Sequence, residues 1–153
     1  MSGPTSGAFL PVAAMMFAAG IGIPAFAAFN SGLSKQLGGP MAATAVTFAV
    51  GLVIALVLVG LTGVPSRAAF TFETPYIWFG AIFMLFYATS VAYAAPRIGL
   101  GNAIFFVLLG QIVAAAAIDH FGWLGAIQSA LTPKRLLGIA VMAVGLYLAR
   151  KPV

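Results

Sequence analysis

Two acidic residues, one histidine and seven lysines and arginines are the only charged or readily titrating groups in 153 residues, and there is no cysteine. Asp119 and His120 are adjacent, whereas Glu73 lies far from both in the chain. A serine–histidine or paired-carboxylate site needs its groups brought together within the fold, and one histidine with two scattered acids does not supply them. The lack of cysteine excludes disulfides and thiolate-ligated metals. Neither a nucleotide-cradling glycine loop nor a cluster of metal ligands is present, so no enzyme activity, metal or cofactor is expected. Asp119 and His120 therefore read either as a proton-handling pair or as an interfacial ion pair. A carboxylate at a helix C-terminus opposes the helix dipole, so a cation such as Lys134 or Arg135 is expected beside it. Glu73 reads as a loop charge near Arg67.

The uncharged polar residues are more informative, because they interrupt long apolar runs. Gln111 lies at the centre of the run 102–119, where its amide needs partners for two donors and an acceptor. It reads as lining a central cavity or as bonding between helices. Asn30 sits toward the end of the run 9–33, downstream of Gly20, Gly22 and Pro24, a pattern able to bend or break a helix into a gate. A packing kink with Asn30 at the helix end is the competing interpretation. In the run 75–95, Gly80, Phe83, Tyr87, Ser90 and Ala94 recur at steps of three and four and share one helix face. Tyr87 and Ser90 join Gln111 and Asn30 as the expected substrate-binding set.

These side chains need elements to hold them, and the composition says which. Hydrophobic residues make up 63% of the chain and charged ones 6%, with a mean hydropathy of +1.13. A water-soluble domain carries about 25% charged residues, so the outer surface here faces lipid. A membrane helix takes about 20 apolar residues, which gives five spans at about 9–33, 41–61, 75–95, 102–119 and 133–149. The expected fold is an all-α, five-helix integral membrane bundle in one domain, residues 1–153. Pro75 suits a first helical turn, while Gly38, Gly39 and Pro40, and then Pro96, Gly99 and Gly101, read as breakers. Residues 1–7 carry no basic residue, so the first run reads as a retained helix and not as a secretory signal. Tyr76, Trp78, Trp123 and Tyr147 fall near span ends, as interfacial belt residues do.

The net charge of +5 comes from basic residues scattered singly or in pairs. That spacing suits headgroup anchors better than a phosphate-tracking stripe, so nucleic acid is not an expected partner. With five spans, one side of the membrane holds Arg67, Lys134 and Arg135, and the other holds Lys35, Arg97, Arg150 and Lys151. Three against four is almost no bias for the rule that orients membrane helices. Insertion in both orientations, forming an antiparallel homodimer with inverted protomers, and insertion in one orientation both remain open. Gly138 and Gly145, seven residues apart on the fifth run, give a small-residue face suited to dimer contacts. The alanine run 114–117 is a competing face.

The stretch Gly20-Ile-Gly-Ile with Asn30, followed by Thr47-Phe-Ala-Val-Gly51, resembles the opening helices of the YdcZ-type family of the drug/metabolite transporter superfamily. So do Pro96-Arg-Ile-Gly99, Leu109-Gly-Gln111, Asp119-His-Phe-Gly122 and the segment from Leu136-Leu-Gly138 to Gly145. The resemblance implies a five-helix half-transporter in a bacterial inner membrane, related to the small multidrug resistance exporters, with two copies pairing as one transport unit. One departure stands out. Family members often carry a glutamine near the position of Phe26, and this chain has none between Phe9 and Phe29.

No charged residue falls mid-span, which weakens proton-for-cation exchange and favours a small neutral, zwitterionic or weakly polar organic cargo. The expected function is a dual-topology homodimeric transporter of such a solute, working by alternating access. The alternatives are a non-transporting membrane assembly module or one half of a heteromeric transporter.

Overall fold

The computed structural model describes residues 6–70 and 74–149. Arg150, Lys151 and Glu73, each given a loop or terminal role above, lie outside the described residues. Five α-helices follow one another: α1 Ser6–Gln36, α2 Pro40–Thr62, α3 Gly80–Ile98, α4 Leu100–Phe121 and α5 Pro133–Ala149. A 3₁₀ turn over Pro75–Phe79 leads into α3 and extends that apolar element back to Pro75. Four of these elements are long and apolar enough to cross a membrane: Phe9–Gln36, Pro40–Thr62, Pro75–Ile98 and Leu100–Phe121. The fifth helix has 17 residues, about 25 Å at 1.5 Å per residue, a little less than the roughly 30 Å of a hydrocarbon core.

Two features at proline stand out against the sequence. The segment Gly20, Gly22 and Pro24, a pattern able to break or bend the first span, does not break it, and α1 stays helical through both Pro11 and Pro24. Pro24 removes only the N–H that would reach the Gly20 carbonyl, and neighbouring helices make such a loss tolerable in a membrane span. Pro96 likewise falls inside α3, in its last turn. The helix ends instead at Gly99, whose φ of 84° no side-chain-bearing residue adopts easily. The Asn102 amide then donates to the carbonyl of Ile98 at 3.0 Å, so α4 starts at Leu100 with the end of α3 already capped.

Packing is concentrated at one end. α3 touches α1, α2 and α4, and α5 packs on the far side of α4. Ala27, Asn30, Ala43, Thr44, Ala88, Val91, Ala92, Ala95, Ala103 and Phe105 are buried. They come from the C-terminal halves of α1 and α3 and the N-terminal halves of α2 and α4. The tight turns α1–α2 and α3–α4 therefore close this end, where alanines let the helix backbones approach. Toward the opposite end, large side chains such as Phe17, Val57, Phe83 and Val113 are exposed. The accessible surface of 11546 Å² compares with about 7,300 Å² for a compact soluble monomer of 15.7 kDa. Lipid or another protein surface must cover the difference.

Candidate functional site

At the closed end the polar residues form a knot between three helices. The Asn30 amide of α1 donates to the backbone carbonyl of Ala88 on α3 at 3.1 Å and to the Thr44 hydroxyl of α2 at 3.4 Å. Its carbonyl oxygen accepts from the Thr47 hydroxyl at 3.0 Å. Thr89 of α3 adds a donor to Thr44 at 3.4 Å. Asn30 is 2% exposed and Thr44 fully buried, so the bonds of the Asn30 amide to Thr44 and to the Ala88 carbonyl are made where water cannot compete. Asn30, expected in the substrate-binding set, thus has its amide occupied by protein in this conformation. Thr44 and Thr89 went unremarked in the sequence and Thr47 was noted only in the family resemblance, although Thr44 and Thr47 lie one turn apart on an otherwise apolar helix.

Just above the knot, Tyr87 of α3 stacks on Phe26 of α1, ring centroids 6.1 Å apart. Its hydroxyl is buried yet has no hydrogen-bond partner among the described residues. A hydroxyl sealed from water without a partner is costly, which makes Tyr87 ready for a polar ligand atom or a coupled movement of α1 against α3. On α1 the tyrosine thus meets the ring of Phe26 and no polar side chain.

Ser90 lies on the ridge of α3 between two hollows. One, of about 540 Å³, lies beside the start of α2 and includes Met41, Phe86, Thr89 and Tyr93. The other, of about 180 Å³, lies toward α4 and includes Ala103, Phe106 and Val107. Gln111 stands one turn beyond Val107 on α4. It is exposed, at the midpoint of the Leu100–Phe121 helix, and no hydrogen bond links its amide to the described residues. The structure therefore brings Ser90 close to the face that leads to Gln111, while Asn30 and Tyr87 belong to the α1–α3 contact behind it.

Asp119 and His120 lie at the other end, apart from all four. The Asp119 carboxylate pairs with the guanidinium of Arg135 at the start of α5, one of the two cations expected beside it. The Asp119 carbonyl accepts from the Ser129 N–H at 2.8 Å, and Arg135 reaches the Ser129 carbonyl at 3.4 Å. His120 accepts the Leu131 N–H at Nδ1, at 3.1 Å, which requires that nitrogen to be unprotonated. Together these bonds fold the 122–132 loop onto the end of α4. Gly138 borders an open space of about 390 Å³ between α4 and α5, next to Ala115 and Met142. Gly145 is exposed further along α5, and nothing lies within 4 Å of where a Cβ would stand on either glycine. No group of His, Asp and Glu able to hold a metal occurs among the described residues.

A family model described as "putative inner membrane exporter, YdcZ" matches residues 11–148, nearly the whole chain. No curated protein and no solved structure matches.

Proposed function

The chain belongs to the YdcZ family of the drug/metabolite transporter group, an inner membrane exporter family, and on that premise we propose that it carries a small organic solute across the inner membrane as an antiparallel pair of copies. The observation that carries this reading is Gln111. An amide moved into a medium that cannot hydrogen-bond costs about 4–8 kcal/mol, yet this one is exposed at the middle of a membrane-spanning helix with no bond inside the chain. A second copy that meets α4 at this level encloses Gln111 in a polar hollow shared by the two protomers. Ser90 flanks that hollow, and Tyr87 and Asn30 act through the packing of α1 on α3. The α5 helix crosses the membrane beside α4, its Gly138–Gly145 face serving contacts between copies.

The uneven packing supports alternating access. Each protomer is tied at the α1–α2 and α3–α4 turns and loose at the other end, so inversion of one copy gives the pair one tied and one loose end on each face. Exchange of the two states opens the hollow to one side and then the other. The near balance of loop charges, three against four, favours both orientations being made. With no charge at mid-span among the described residues, the cargo is neutral, zwitterionic or weakly polar.

Purified chain in liposomes, screened against small organic solutes with and without a pH gradient, tests this. Wild-type chain produces flux of at least one solute class, and Gln111→Leu abolishes it while cross-linking still yields the dimer. Normal flux through Gln111→Leu overturns the role of that residue. A wild-type chain that moves no solute favours an assembly module.

A further inference from the structure

The larger hollow beside Ser90 has properties that the transport reading does not use. Its walls run along α3 from Ile82 to Ala94 and include Pro40 and Met41 at the start of α2. Twelve residues of helix make it about 18 Å long, close to the roughly 15 Å of hydrocarbon in a single leaflet. It is open sideways, and its only polar wall groups are those of Thr89, Ser90 and Tyr93. One of these, the Thr89 hydroxyl, is already turned to Thr44. The volume is about 540 Å³, or about 950 Å³ with the space at its mouth included. A groove of this length and volume, apolar along most of its wall, accommodates a single hydrocarbon chain laid along α3.

A cation marks the headgroup end. Arg97 follows Ala94 by three residues, and its guanidinium lies 3.5 Å from the centre of the Tyr93 ring, itself part of the groove wall. One nitrogen donates to the Tyr93 carbonyl at 2.6 Å. Among the described residues the only salt bridge is that of Asp119 with Arg135, at the opposite end, so none of their carboxylates neutralises Arg97. Lys35, in the last turn of α1, stands at the same end as Arg97. We propose that the α2–α3 groove is a binding site for an anionic phospholipid of that leaflet, one acyl chain lying along α3 from Ala94 to Ile82 and the phosphate on Arg97. Cation–π contact and the carbonyl bond hold the guanidinium over the groove, and its remaining N–H donors match phosphate oxygens. The site is independent of what the protein transports.

Native mass spectrometry of the chain released from detergent, after equilibration with dioleoyl phosphatidylglycerol or dioleoyl phosphatidylcholine, tests the assignment. The wild-type chain retains the anionic lipid about fivefold more strongly, the worth of one basic side chain near an anionic headgroup. Arg97→Gln brings that ratio below about twofold, whereas Lys134→Gln, which removes a charge at the other end, leaves it unchanged. Ala94→Phe, which fills the groove, lowers retention of both lipids. Should Arg97→Gln not fold, Arg97→Lys keeps the charge and must keep the preference. Equal retention of the two lipids by the wild type overturns the proposal. So do unchanged retention by Ala94→Phe, loss of the preference in Arg97→Lys, and binding of glycerol phosphate alone at the same strength.

Discussion

Replacement of Asn30 by alanine removes a side chain that joins α1, α2 and α3. Three hydrogen bonds are lost, at 3.1, 3.0 and 3.4 Å. Bonds between membrane helices average about 0.6 kcal/mol and reach about 1.7. Taking the 3.4 Å contact as weak, the polar loss amounts to about 1–3.5 kcal/mol, and the void left among Ala27, Ala43 and Ala88 adds up to about 1 kcal/mol. Asn30→Ala is therefore expected to cost about 1–4.5 kcal/mol of stability, measured by reversible unfolding in mixed detergent–lipid micelles. A double-mutant cycle with Thr47→Val isolates the shortest bond, with an expected coupling of about 0.6–1.7 kcal/mol. If Asn30 instead serves only to hold cargo, the variant unfolds at wild-type denaturant, the coupling with Thr47 is near zero, and flux alone is lost. That combination refutes the reasoning from the knot.

Two further expectations concern the charged groups. Asp119→Asn breaks the pair with Arg135, whose side chains are 36% and 32% exposed. A partly exposed pair contributes at most about 1 kcal/mol, so unfolding shifts slightly, the shift shrinks in high salt, and flux persists. Loss of pH-driven flux with unchanged stability assigns Asp119 to proton handling instead. Reporters fused to the C-terminus register on both sides of the membrane if the chain inserts in both orientations, and a single reporting side ends the antiparallel reading.

The apolar runs made the membrane helices legible, because a 20-residue stretch without charge has few other uses. Helix ends were read less well, and proline is the reason. Pro96 looks like a stop, and Pro24 like a bend or break within a span, when only their missing N–H is considered. Inside lipid a helix that ends leaves several backbone groups unpaired, so continuing past one lost bond is the cheaper course. The ion pair of Asp119 was legible because a carboxylate at a helix end calls for a cation, and only Lys134 and Arg135 were near in sequence. The Asn30 knot was not, since its threonines look like ordinary helix residues until the packing of α2 on α1 and α3 turns them inward. For Tyr87 and Ser90, common spacing on α3 suggested one shared surface. The structure divides them, Tyr87 toward α1 and Ser90 toward the outer hollows, because α3 is the central helix and has neighbours on several sides.

The position of α3 also joins the stability of the bundle to its openings. Its inner face carries Ala88, Ala92 and Ala95, all buried, and takes the Asn30 bond through the Ala88 carbonyl. Its outer face carries Ser90 and Ala94, each beside both hollows. These two faces are one helix turn apart, so α3 cannot shift against α1 without changing the width of the grooves on its other side. The orphaned Tyr87 hydroxyl lies at this contact, away from the tight turns, where a shift costs least because no hydrogen bond there has to break. Because α4 packs along α3 as well as following it through the Gly99 turn, a shift of α3 against α1 would also displace Gln111.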